Sequence, residues 1–76
     1  RRVVRSLVDR LHSRLRVSVA ETGAQDLHQR AELGVALVAR DGAEAQRLLD
    51  EVLAAVDEEG EAMLLDWNPS IVEGRE

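Results

Sequence analysis

Seventy-six residues with no cysteine and one aromatic residue, Trp67, restrict this chain to one small domain with an aliphatic core, and they exclude disulfides and thiolate metal sites. No apolar run approaches the roughly 18 residues of a membrane span and no signal segment opens the chain, so the sequence predicts a soluble, cytoplasmic protein. The formal net charge of −5 is unevenly distributed, because residues 1–16 carry six arginines and one aspartate whereas residues 17–76 carry four arginines and fourteen acids.

The first predicted element is an amphipathic helix over residues 1–16. Its apolar side chains recur with helical periodicity, and together they form one narrow face: Val4, Leu7, Val8, Leu11 and Leu15. The arginines are spread over the remaining surface. The pattern therefore predicts a helix that faces the core and has a basic outer side.

Two short strands follow, and a polar connector over residues 21–30 joins them. Residues 17–20 alternate valine with small side chains, as a half-buried strand does. In residues 31–39, Leu33, Val35 and Leu37 share one face and smaller side chains share the other, which is typical of a central strand under helices. Too few residues separate the two predicted strands for a helix of normal length to lie between them, so we expect the strands to pair as an antiparallel hairpin.

The second half of the chain predicts a second helix and a final strand. Asp41 and Glu44 have the spacing of a capping box at the helix start, and Gly60 is placed as its C-terminal cap. A last strand is expected over residues 62–67, ending before Pro69. These limits predict one domain over residues 1–68 and a tail over residues 69–76. The helix should bury one apolar face: Ala45, Leu48, Leu49, Val52, Leu53 and Val56.

This order of helix, strand, strand, helix and strand predicts an α+β two-layer sandwich. Three strands are few for two covering helices, and one more strand before the first helix would complete the βαββαβ ferredoxin-like pattern. In that pattern the added strand lies in the middle of the sheet and pairs with the final one. We therefore expect a ferredoxin-like domain that lacks its first strand here (αββαβ), with about six residues of strand upstream in the gene.

Several segments carry a resemblance to a known family: RRVVRSLV at residues 1–8, VSVAE at 17–21, QDL at 25–27 and RA at 30–31. They resemble the YlxP-like family of small bacterial domains of unknown function, from residue 1 to about residue 66. The resemblance implies a ferredoxin-like fold whose first strand precedes Arg1. Family members often have an aromatic residue where His28 stands and a histidine where Ala24 stands. Their genes commonly lie beside genes for ribosome maturation and translation initiation, which implies a role linked to translation.

Three classes of function are weighed against these residues. Catalysis would need a nucleophile paired with a base such as His28, and no such motif is present, so we predict a non-enzymatic protein without cofactor or metal. RNA binding would use the arginines of the first helix. The acidic net charge of the whole chain argues against RNA binding and favours an arginine surface that contacts only solvent. Self-association would use the edge strand at residues 17–21. The expected partner is RNA or a ribosome-associated protein, with a homodimer as the alternative, and the candidate binding residues are Gln25, Asp26, His28, Arg30, Arg5, Arg10 and Arg14.

Overall fold

A computed structural model provides the fold of this chain and describes residues 2–23, 30–60 and 64–72. Its element order is α1 (Arg2–Arg14), β1 (Val17–Gly23), β2 (Glu32–Leu37) and α2 (Gly42–Glu58). The α+β class and the helix–strand–strand–helix order are therefore confirmed. β1 is three residues longer than the sequence predicts, because it continues through Glu21, Thr22 and Gly23 into the expected connector.

β1 and β2 form an antiparallel hairpin in which Val17 lies opposite Leu37 and Val19 lies opposite Val35. These four side chains are half-buried and pack against the helices, as the alternation in the sequence predicts. The register shifts between Glu21 and Gly23, which places one extra residue in β1. At this shift the hydroxyl of Thr22 donates a hydrogen bond to a carboxylate oxygen of Glu32 at 3.0 Å. The shift therefore interrupts regular pairing within the first residues of the expected connector.

The predicted final strand is not formed by the residues described. Residues 64–72 contain neither helix nor strand, and the sheet of the described residues has the order β1–β2 only. Consequently β2 is an edge strand in this part of the chain, not the central strand that its composition indicates. A strand is stable only beside a hydrogen-bonded neighbour, so the largely apolar run at residues 62–67 does not by itself produce a strand at residues 64–67 where the described residues supply no neighbour. The ferredoxin-like arrangement remains an expectation.

The core lies where α1 crosses α2 above the hairpin. Leu11 of α1 and Val52 of α2 are each 1% exposed, and they are the largest fully buried side chains among the residues described. Leu7 and Ala55 complete this buried cluster. Trp67 packs against its margin, together with half-buried aliphatic side chains of both strands: Val17, Val19, Leu33, Val35 and Leu37. The helix periodicity identified all of these helical positions except Ala55.

The first turn of α2 is capped in a modified form of the expected capping box. Asp41 accepts a hydrogen bond from the backbone N–H of Glu44 at 2.8 Å, as predicted. Glu44 does not return this bond to the cap residue, because its carboxylate accepts from the backbone N–H of Arg40 at 2.7 Å. This backbone bond is the main cause that lowers the pKa of Glu44, and hydrogen bonding to the Arg40 guanidinium lowers it further.

The other end of α2 differs from the prediction. Glu59 is the C-cap residue, and its backbone N–H donates to the carbonyl of Val56 at 3.1 Å. Gly60 lacks the positive φ of a glycine cap, so the predicted cap is wrong. The bond from Glu59 spans three residues and not four. The carbonyl of Ala55, which would receive that N–H in a continuing helix, is therefore left for another donor.

Candidate functional site

Three of the seven candidate binding residues lie outside the described part of the chain. These residues, Gln25, Asp26 and His28, belong to residues 24–29 between the two strands. Arg30 lies just before β2 and is exposed. It forms no ion pair among the residues described, so its guanidinium remains available to a ligand.

Arg10 and Arg14, two candidates on α1, contact the C-terminal end of α2. Arg10 donates a hydrogen bond to the free carbonyl of Ala55 at 3.4 Å, and its second terminal nitrogen lies 3.8 Å from a carboxylate oxygen of Glu59. Arg14 forms an exposed ion pair with Glu58 at 2.6 Å. Sequence periodicity could not identify these pairs, because the partners are 44 or more positions apart along the chain.

The position of these arginines has a direct electrostatic reason. The C-terminal end of a helix carries partial negative charge, and α2 also ends with the acidic run Asp57, Glu58 and Glu59. The last turn of α2 contains no basic residue of its own to offset this charge. Arg10 and Arg14 of the neighbouring helix α1 provide the positive charge that offsets it. Two of the basic residues expected to face a ligand therefore also hold the two helices together.

Arg5 is the candidate on α1 that keeps a free guanidinium. Its residue is exposed, and it makes no ion pair or hydrogen bond with the other residues described. Arg16, which the sequence did not single out, is similarly exposed between α1 and β1. Arg16 adjoins the start of β1, whereas Arg30 lies at the connector end of the hairpin. The free arginines among the described residues therefore do not form one continuous basic surface.

An open groove lies where α1 ends and β1 begins. Leu15, Val17, Leu37 and Val38 supply its apolar side chains, and Val38 is 92% exposed. Its polar side chains are His12, Arg16 and Ser18. No hydrogen bond joins His12 to Ser18 within the described residues, so the geometry provides no paired base and nucleophile there. The groove resembles a shallow binding surface more than an enclosed active site.

A second exposed apolar surface lies on residues 64–72. Leu65 is 67% exposed and Val72 is 88% exposed, while Leu64 and Ile71 are close to half exposed. Trp67 is the side chain of this segment that packs against the core. Such a concentration of exposed aliphatic side chains in nine consecutive residues is typical of a binding surface. The residue pattern did not predict this surface, because it indicates a buried strand and a tail in this segment.

Metal sites and membrane-spanning helices are two further features that bear on function. Residues 2–23, 30–60 and 64–72 contain no group of three or more histidine, aspartate or glutamate side chains placed to hold a metal ion. Across the same ranges, neither helix is long and apolar enough to cross a membrane. The observed candidates for a binding surface are therefore the groove, the exposed segment at residues 64–72 and the separate arginines.

Comparison with known proteins agrees with the resemblance noted in the sequence. The family described as "Protein of unknown function (DUF503)" matches residues 1–69. The chain is also 33% identical over 57 residues to the "Uncharacterized protein YlxP" of Bacillus subtilis (strain 168). This match covers 75% of the present chain and 62% of the Bacillus protein, so the chain spans less than two thirds of that relative. No solved structure matches the chain significantly. With a family match over nearly its whole length, the chain belongs to the YlxP-like DUF503 family.

Proposed function

We propose that this chain is a non-enzymatic accessory domain that acts by binding another polypeptide. The observation that carries the proposal is the exposure of aliphatic side chains on two surfaces, the groove and residues 64–72; Val38 in the groove and Leu65 and Val72 in the segment are each more than 60% exposed. Water contact with such side chains is unfavourable, and a protein partner that covers them gains roughly 25 cal/mol for each Å² of apolar area removed from water.

The distribution of arginines supports a protein partner over RNA. Arg10 and Arg14 already contact the acidic end of α2, and moving them to phosphate groups would leave that end without its counter-charges. RNA binding would then depend on Arg5, Arg16 and Arg30, which are spread over both ends of the hairpin. A net charge of −5 further opposes the approach of a polyanion.

The link to translation comes from the YlxP-like resemblance, whose members' genes commonly neighbour those for ribosome maturation. We propose a ribosome-associated protein as the partner on that basis. RNA binding through Arg5, Arg16 and Arg30 is the second candidate, and it is favoured because none of these guanidinium groups has an ion pair among the described residues. A homodimer without RNA contact is the third, and the edge strand β1 and the groove beside it favour that alternative.

Co-sedimentation of the full-length protein with bacterial ribosomal subunits tests this proposal. Leu65→Asp places a charge on the exposed apolar surface, and we expect it to reduce co-sedimentation by about tenfold, because one well-buried aliphatic contact contributes that much to affinity. Ala54→Asp, on an exposed position of α2, is the matched control and should bind as the unaltered protein does.

Arg5→Ala separates the RNA candidate from the proposal. A protein-mediated contact should survive this change and should weaken little as salt increases, since apolar contacts are not screened. Loss of co-sedimentation with Arg5→Ala, together with full binding by Leu65→Asp and a steep salt dependence, would replace the protein partner by RNA. Absence of co-sedimentation in the unaltered protein would refute the link to the ribosome.

A further inference from the structure

The arginines of α1 that face α2 are bound to its acidic end. Arg14 donates to a carboxylate oxygen of Glu58 at 2.6 Å. Arg10 lies 3.8 Å from a carboxylate oxygen of Glu59 and also donates to the carbonyl of Ala55 at 3.4 Å. Carboxylate and phosphate groups bind the same donors of a guanidinium. Each carboxylate of α2 therefore occupies the position that a phosphate would take.

The side of α1 that carries these two arginines has the residues of an anion-binding surface. Arg10 and Arg14 lie four positions apart on the helix, which places their side chains next to each other. Residues 1–16 carry six arginines and one acid, so this part of the chain is strongly basic by itself. Arginine side chains of this kind contact the phosphates of nucleic acids. The acids of α2 thus offset charge where the sequence concentrates it.

The two contacts differ in how easily a competing anion displaces them. The side chains of Arg14 and Glu58 are 56% and 52% exposed, and an ion pair this exposed is weak because water and salt screen it. The side chains of Arg10 and Glu59 are 26% and 12% exposed, and Arg10 has a second acceptor in the carbonyl of Ala55. The contact between Arg14 and Glu58 is therefore the one that decides whether an outside anion can bind.

We infer that Glu58 is an internal competitor that closes the surface formed by Arg10 and Arg14 to the phosphates of RNA. Its carboxylate is held beside Arg14 by the same chain, so its local concentration exceeds that of a free phosphate group. An acid at this position opposes the dipole of α2, whose last turn has no basic residue, so helix stability alone does not favour it. The contact selects against nucleic acid, and the apolar surfaces of the chain remain open to a partner.

Binding of a fluorescein-labelled poly(U) oligonucleotide to the full-length protein, followed by fluorescence anisotropy at low salt, tests the inference. We expect Glu58→Gln to bind about fivefold more tightly than the unaltered protein, because it frees one guanidinium for a phosphate. The logarithm of its affinity should also fall more steeply with the logarithm of salt concentration, by about 0.7 in slope for one added contact to a single strand. Circular dichroism should show an unchanged fold, since Glu58 is exposed.

Asp57→Asn is the matched control, because it removes the same charge from the adjacent position of α2. Asp57 is exposed, and its side chain forms no ion pair or hydrogen bond among the described residues. This variant should bind poly(U) only slightly more tightly than the unaltered protein, through the change in net charge alone. Equal gains for Asp57→Asn and Glu58→Gln would show that net charge and not the contact with Arg14 controls binding, and would overturn the inference.

A double variant that combines Glu58→Gln with Arg14→Gln identifies the freed group. It should bind poly(U) as weakly as the unaltered protein, because the guanidinium that gains the phosphate is absent. Glu59→Gln should give a smaller gain than Glu58→Gln, because Arg10 remains bound to the carbonyl of Ala55. No gain in Glu58→Gln, or a gain that survives the loss of Arg14, would contradict the internal competitor. Co-sedimentation with ribosomal subunits tests the proposed function separately, so the two can fail independently.

Discussion

Arg10 is expected to stabilise the fold, whereas Arg5, on the same helix, is not. Substituting Arg10 by alanine removes the donor to the free carbonyl of Ala55 and the cation nearest to Glu59. The side chain of Glu59 is 12% exposed, and one of its carboxylate oxygens is buried without a hydrogen-bond partner among the described residues. The negative charge of this carboxylate therefore depends on the nearby charge of Arg10. Arg5 has no contact of this kind among the described residues.

The magnitude follows from these contacts. Leaving a partly buried acceptor without its donor costs about 1–3 kcal/mol. The bond to Ala55 is long at 3.4 Å and the ion pair is longer at 3.8 Å, which places the expected loss near the lower limit. We therefore expect Arg10→Ala to reduce the free energy of unfolding by about 1–2 kcal/mol. Arg5→Ala should change it by no more than about 0.5 kcal/mol, as exposed substitutions do.

Urea unfolding followed by circular dichroism provides the assay. A slope of about 1 kcal/mol per molar urea, typical of small proteins, converts the loss in Arg10→Ala into a midpoint lower by about 1–2 M. Arg10→Met serves as a further control, because it retains most of the aliphatic stem and loses only the charge and donors. Equal midpoints for Arg5→Ala and Arg10→Ala would refute the assignment of Arg10 to the helix contact and return it to the ligand-binding candidates.

Substitutions of Asp41, Glu44 and Leu11 test the cap and the core by the same assay, and two of them are compared with a control variant. Asp41→Ala should lower the free energy of unfolding by about 1 kcal/mol, because it removes the N-cap acceptor. Asp50→Ala, which loses one exposed side-chain hydrogen bond, should lower it by about 0.5 kcal/mol or less. Equal losses in the two variants would contradict the role of Asp41 as the N-cap. The pKa of Glu44 is lowered in the folded state, so its contribution to stability is present above its unfolded pKa and is lost as pH falls through its folded pKa. Glu44→Gln should therefore flatten the dependence of stability on pH in that acidic window. An unchanged dependence would contradict the lowered pKa of Glu44. Leu11→Ala should lower the free energy of unfolding by about 2–5 kcal/mol, because it leaves a cavity in the core. Leu65→Ala should lower it by less than about 0.5 kcal/mol, because Leu65 is exposed. Similar losses would contradict the burial of Leu11 and the exposure of Leu65.

Local patterns in the sequence predicted the helices, the hairpin and the N-cap. Leu7, Leu11 and Val52 recur with the helical period and are buried, because one face of each amphipathic helix must leave water. Asp41 caps α2 because its short carboxylate reaches a backbone N–H of the first turn. These features depend on residues within a few positions of each other. For that reason they could be identified without coordinates.

The features that the sequence did not reveal depend on distant parts of the chain. The largely apolar run at residues 62–67 indicates a strand, but the formation of a strand depends on a neighbour that a local pattern does not provide. Arg10 and Arg14 looked like free surface charges until the structure placed the last turn of α2 beside them. The groove likewise combines residues from α1 and both strands with Val38. Tertiary contacts decide each of these cases.

Affinity capture with the full-length protein from a bacterial lysate, in parallel with and without RNase, tests most directly whether the ligand is a polypeptide. We expect a specific captured protein that RNase does not release and that Leu65→Asp fails to retain, while the exposed control Ala54→Asp retains it. Capture that RNase abolishes, and that Leu65→Asp leaves unchanged, would contradict a protein ligand bound through residues 64–72.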